Sequence, residues 1–149
     1  IQALDLLRRK LFQENGETYK RVLQIIEETA KLAINNENNN IKEMGELLLK
    51  SLGVIKDCSM WLIDKYQENP EVSATGATPY LNMFGWVLGG WVMVNSAIKA
   101  QLIIAKDSDN KFAREKINTA SFFCNTYLPL ATALQNTIKK SFYALENFN

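Results

Sequence analysis

Apolar positions recur every three to four residues along most of the chain, and nowhere do they alternate for long as a half-buried strand would. Leu4, Leu7 and Leu11 line one face of a short first helix. The run ENGE at 14–17 reads as a turn. Beyond it Tyr19, Val22, Leu23, Ile26, Ala30 and Ala33 follow the spacing of an amphipathic helix. NNENNN at 35–40 ends that helix, since Asn favours turns and caps over helix interiors. A third helix runs from about Ile41 to Gln67, with Met44, Leu47, Leu48, Leu52, Ile55, Leu62 and Ile63 on its apolar line and Met60 near the edge. Gly45 and Gly53 weaken it, at about 1 kcal/mol each relative to Ala.

ENPEVSATGATP at 68–79 reads as the longest loop, with Pro79 near the start of a fourth helix, where a missing N–H costs little. KDSDN at 106–110 closes that helix. A last pattern covers 111–148 with Pro129 inside it; helical spacing resumes at once, which predicts a kink rather than an end. No repeat and no second bundle boundary is visible. The pattern predicts an all-α fold: an up-down four-helix bundle over 15–149, preceded over 1–14 by a short helix that belongs to something else.

One stretch departs from amphipathic spacing. TPYLNMFGWVLGGWVMVNSAIKA, 78–100, carries no charge before Lys99, and none occurs between Glu71 and Lys99. A membrane span needs about 20 apolar residues. Asn82, Asn95 and Ser96 interrupt this one, and the other helices carry ordinary surface pairs such as Glu27–Lys31 and Glu46–Lys50. A helix apolar nearly all round is expected as the central, buried helix of a soluble bundle. Gly85 and Gly89, four apart, present one side on which a partner backbone has room to approach. Phe84, Leu88, Trp91 and Asn95 occupy another face. Spacing leaves two readings of these residues open, core packing and a docking interface.

Composition narrows the chemistry. The 149 residues are 47% hydrophobic and 22% charged, enough for one domain with a core, and the net charge of +1 gives no reason to expect nucleic acid or an anionic membrane. His is absent, which removes the usual base and the commonest transition-metal ligand while leaving carboxylate catalysis open. Cys58 and Cys124 share no CxxC spacing and read as buried reduced thiols, which suits a cytoplasmic protein; a disulfide or a nucleophile is the alternative. FGWVLGG follows no strand and lacks the Lys and Ser/Thr of a phosphate loop, and no metal-ligand cluster appears. Asp64 and Glu68 are four apart but border a loop, and RRK at 8–10 reads as a solvated face. The chain starts at Ile1 without the basic-then-apolar order of a signal peptide, and is expected to be part of something longer.

Two sets of residues carry a family resemblance. IQALDLLRRKL at 1–11 resembles the segment after the Tyr-Glu-Gly-Thr motif of long-form acyl-CoA dehydrogenases, matching at Ile1, Gln2, Ala3, Leu4, Asp5, Leu6, Arg9 and Lys10. PYLNMFGWVLGGW at 79–91 and ASFFCNTYLP at 120–129 resemble the helices of the C-terminal extension in the branch that includes methylthiopropionyl-CoA dehydrogenase. The resemblance implies a parent that oxidises acyl-CoA to 2-enoyl-CoA with FAD, through a glutamate base before Ile1. It assigns 1–14 to the last helix of the catalytic domain and 15–149 to a structural extension, with no catalytic residue, metal or cofactor held by the extension. Gln2 follows a flavin-contacting turn in the family and is the one cofactor-proximal candidate. Tyr80, Phe84, Gly85, Gly89, Trp91, Phe122, Phe123 and Pro129 are the interface or core candidates. The implied partners are the protein's own catalytic domain and a second copy in a homodimer. The competing readings are a free-standing helical interaction module and, more distantly, a membrane-associated helix protein.

Overall fold

The computed structural model describes residues 1–11 and 13–140, and everything described is helix, turn or short connection. Helix α1 (Gln2–Asp5) continues into a π-helical turn (Leu6–Lys10), and a 3₁₀ turn (Gln13–Gly16) leads to α2 (Glu17–Ile34). Then follow α3 (Asn39–Glu68), the short α4 (Pro70–Thr75), α5 (Ala77–Lys106) and α6 (Lys111–Lys140). The expected extension of the last helix beyond Lys140 lies outside the described residues.

Helix α2 packs on α3 and α5, α6 packs on α5 and α3, and α3 also meets α5 across the middle. So α2 and α6 occupy opposite corners, and the chain crosses the diagonal between α3 and α5. Side-chain pairs give the directions. Tyr19 with Ser59 and Glu27 with Lys56 set α2 antiparallel to α3. Ser59 with Tyr80 and Asn38 with Gln101 set α3 antiparallel to α5. Ser51 with Leu128 and Asp57 with Lys139 set α6 parallel to α3.

Asparagines start three of the helices. Asn38 accepts from the N–H groups of Asn40 (3.0 Å) and Ile41 (3.4 Å), so α3 begins inside the stretch that reads as loop. Asn110 accepts from Ala113 N–H at 3.0 Å at the head of α6. Asn69 caps α4 through Glu71 and Val72, with Pro70 in the first turn, where its missing N–H is not needed. The expected 68–79 loop is therefore mostly helix. Ser73 ties it down by donating to the Leu62 carbonyl at 3.1 Å. Gly76 joins α4 to α5, and a Cβ there would stand 3.0 Å from Leu62 and 3.2 Å from the Ile138 carbonyl, so the join is a packed corner.

Leu7 and Leu11 are buried in the common core, and the 1–11 segment packs along α5. Two further expectations need correction. Met60 is exposed rather than marginal. Helix α5, the one described helix long and apolar enough to cross a membrane, is not enclosed all round: 28% of its most apolar window is buried. Tyr80, Met83, Val87, Gly90, Val94 and Ala97 face the core, while Gly85 and Val92 face outward. The reason is geometric. A helix at the corner of a four-helix square has neighbours on two or three sides only, and an apolar composition does not add a fourth. Helix α6 runs on through Pro129 to Lys140.

Candidate functional site

The most polar point of the core is a hydroxyl cluster where α2, α3 and α5 meet. Ser59 donates to the Ile55 carbonyl at 2.6 Å. With its single proton spent, it accepts from Tyr19 at 2.5 Å and from Tyr80 at 2.7 Å. Burial pushes both phenols above their ordinary range, Tyr80 further than Tyr19, so neither serves as a base near neutral pH. Beside this cluster a groove of about 350 Å³ opens between α2 and α3, walled by Leu23, Met60 and Ile63 and rimmed by Glu27 and Lys56. Hydrogen bonds from Lys31 and Lys56 hold the Glu27 carboxylate down at about 2. No group in the groove combines nucleophilicity with an activating base.

The second constellation is an aromatic seam between α5 and α6. Phe123 and Tyr127 stack at 4.7 Å between centroids, and Tyr127 meets Trp86 at 6.2 Å. The glycines make room for it. A Cβ on Gly89 would come 2.6 Å from the Phe123 ring, and one on Gly90 2.6 Å from Leu128. The side chains, not a partner backbone, fill the space, which corrects the expectation of a backbone approach at Gly85 and Gly89. Gly85 has nothing within 4 Å. The close backbone approach of this fold is at Gly45, where a Cβ would stand 2.8 Å from the Ala30 carbonyl, the Ala33 methyl and the Ile34 nitrogen.

The interface or core candidates thus divide. Tyr80 is fully buried; Phe84 and Trp91 are half-buried, and Trp91 donates to Thr29 at 3.0 Å. Phe123 and Gly89 meet in the seam. Phe122, Pro129 and Gly85 are exposed, so none of them is core. Gln2 is exposed at the start of α1. Asp64 is exposed and Glu68 pairs with Lys65 at 2.5 Å, so the two do not act together. Burial pushes the free thiols of Cys58 and Cys124 up to about 11 and about 12, which leaves both protonated and unreactive. Among the described residues no buried side-chain polar atom lacks a partner, and no cluster suited to a metal ion occurs.

Sequence reasoning missed Ser59, the junction of the hydroxyl cluster, and Asp57, which accepts from Gln135 and Lys139 at 2.5 Å each. Hydrogen bonds from Lys139 and Gln135 hold its carboxyl below the usual range. One signal was available: Ser59 lies four residues beyond Ile55 on the buried line of α3, a polar residue in an apolar row. Nothing local signals Asp57, whose partners lie 78 and 82 residues away.

These helices match known proteins over nearly their whole length. The family described as acetyl-CoA dehydrogenase C-terminal like matches residues 22–145. A 3-methylmercaptopropionyl-CoA dehydrogenase from Ruegeria pomeroyi is 27% identical over 138 residues, 93% of this chain and 23% of the relative's own length. The chain therefore spans about a quarter of the relative it matches. From α2 onward, with its buried hydroxyls and its glycine-lined seam, the chain belongs to the acetyl-CoA dehydrogenase C-terminal-like family.

Proposed function

We propose that this bundle is the non-catalytic C-terminal domain of an FAD-dependent dehydrogenase that oxidises an acyl-CoA thioester to the 2-enoyl form. The family match over residues 22–145 carries the reading. The chemistry of the described residues supports it. With the Ser59 hydroxyl paired, the Cys58 and Cys124 thiols protonated and the Glu27 and Asp57 carboxylates held by lysines, the helices offer scaffold and surface rather than a reactive centre. In the proposed parent FAD would supply the hydride acceptor, held by residues outside this chain. No step is routed through the residues of this chain. The parent is read as a cytoplasmic homodimer in which this domain rests on its own catalytic domain.

The test compares the full-length gene product with the 1–149 domain. Visible flavin absorbance and acyl-CoA-dependent dye reduction are expected in the first and absent from the second. A colourless, inactive full-length protein would overturn the enzyme reading and leave a helical interaction module in its place. Flavin bound by the domain alone would overturn the division of labour.

A further inference from the structure

Three helices bring polar side chains together at the end of the bundle opposite the hydroxyl cluster. Asn38 stands just before α3, Gln101 near the end of α5, and Arg114 and Asn118 near the start of α6. With Asn40 they line a recess of about 350 Å³ whose apolar wall is Ile104 and the buried Ile117. A water's share of the liquid is about 30 Å³, so the recess has room for a small organic molecule and not only for a few waters.

The hydrogen bonds beside this recess all run one way. Asn38 Oδ1 is spent on the N–H groups of Asn40 and Ile41. That fixes which way round its carboxamide lies, and Nδ2 donates to Gln101 Oε1 at 3.0 Å. The Gln101 acceptor is spent in turn, and its NH₂ has no partner among the described residues. Arg114 adds a guanidinium. Arg9 and Arg21 are held at hydrogen-bond distance, by Asp5 at 2.6 Å and by Glu14 at 2.9 Å. Arg114 stands 3.7 Å from Asp109, which is 98% exposed, so that pair is loose and the guanidinium can turn to another anion. No carboxylate is among the residues that line the recess. Its Asn38–Gln101–Arg114 side therefore offers donors whose companion acceptors are already used, the chemistry that holds an oxyanion.

We infer that this recess binds a phosphomonoester, a phosphate carried on a small apolar or planar body. Three donor groups on three elements suit the three terminal oxygens of a phosphate better than the two coplanar oxygens of a carboxylate. The guanidinium supplies the charge and a fork of N–H groups that matches phosphate geometry. Ile104 and Ile117 give the body of the ligand an apolar wall, which a bare phosphate would leave unused. The carboxamides of Asn40 and Asn118, each able to donate or accept, meet polar groups on that body. None of these residues belongs to the hydroxyl cluster or to the aromatic seam, and the inference does not rest on the proposed function. A ligand held here ties α3, α5 and α6 together at one end of the bundle.

The experiment titrates the full-length protein with phenyl phosphate by isothermal calorimetry, beside Arg114→Gln and Gln101→Glu. Gln101→Glu keeps an acceptor for Asn38 and puts a carboxylate oxygen where the NH₂ was, so it repels an anion without removing a contact of the fold. Lys140→Gln, at the far end of α6, removes one positive charge away from the recess and serves as control. Wild type is expected to bind phenyl phosphate saturably, and inorganic phosphate more weakly. Arg114→Gln and Gln101→Glu are each expected to lose at least about tenfold in affinity, with circular dichroism and ligand-free melting temperature unchanged. Lys140→Gln is expected to bind as wild type does. No saturable heat from wild type at millimolar phenyl phosphate overturns the inference. So does equal binding by wild type and both recess variants, which places the ligand elsewhere. A loss in Lys140→Gln as large as in Arg114→Gln overturns it by reducing the effect to net charge. Benzoate bound as tightly as phenyl phosphate overturns the choice of phosphate.

Discussion

The two halves of the bundle use the same element, a pair of antiparallel helices, with different chemistry. The α2–α3 pair comes together at Gly45, where the backbones nearly touch, and is tied across its surface by Glu27, which pairs with Lys31 and Lys56 at 2.7 Å each. Its outer face carries charged side chains beside the exposed Ile25, Leu32 and Met60. The α5–α6 pair is held by aromatic rings set into glycine sockets, and its outer face carries no charge over most of its length. One pair carries charge on its outer face; the other has an outer side without it over most of its length. Architecture alone does not set these two faces apart. The placement of charge does.

The sharpest way to break this contrast is to fill the glycines. Gly45→Ala puts a methyl against backbone that cannot yield, and should lower stability by about 3 kcal/mol, measured as a shift in urea midpoint. Gly89→Ala meets a ring that can turn away, and should cost about 1 kcal/mol. Equal losses would mean the two pairs are packed alike. Tyr80→Phe removes one of the two phenols on Ser59 without orphaning it, and should cost about 1 kcal/mol with no change in secondary structure by circular dichroism.

Acid should then separate the pairs. The Glu27 carboxyl titrates near 4.5 when unfolded and at about 2 when folded, so its contribution is complete above pH 4.5 and fades as pH falls through 2. Asp57, shifted the same way by Lys139, adds to this slope. Glu27→Gln should flatten the stability profile between pH 4.5 and 2, read from urea midpoints at each pH; an unchanged slope would place the acid sensitivity elsewhere. The smallest effect has the opposite sign. Gly53 has open space around its Cβ direction, so Gly53→Ala should stabilise by about 0.5 kcal/mol.

Helix spacing made α2, α3 and α6 legible, because each has one apolar side and one polar side. In α5 the same signal was blank. When nearly every position is apolar, composition cannot say which side is inside, so Gly85 and Gly89 looked alike although one faces solvent and the other a ring. Phe122 and Phe123 were equally indistinguishable until the helix turn separated them by about 100°. The 68–79 segment was misread because Asn, Pro and Gly, which mark loops, here supply a cap, a first turn and a packed corner. The hydroxyl cluster joins Tyr19, Ser59 and Tyr80 across three helices, and no local pattern connects them.

The diagonal step from α3 to α5 has a consequence for how the chain is made. Each helix pair is a hairpin of sequence neighbours, so most contacts form locally and early. The bonds that join the hairpins link residues far apart, 62 positions from Thr29 to Trp91 and 77 from Ser51 to Leu128. On a ribosome the α2–α3 hairpin emerges first, offering the apolar side that carries Ile26, Met44 and Leu52. The α5–α6 hairpin follows onto that waiting surface, so the order of synthesis itself limits how long its apolar side faces the cell alone.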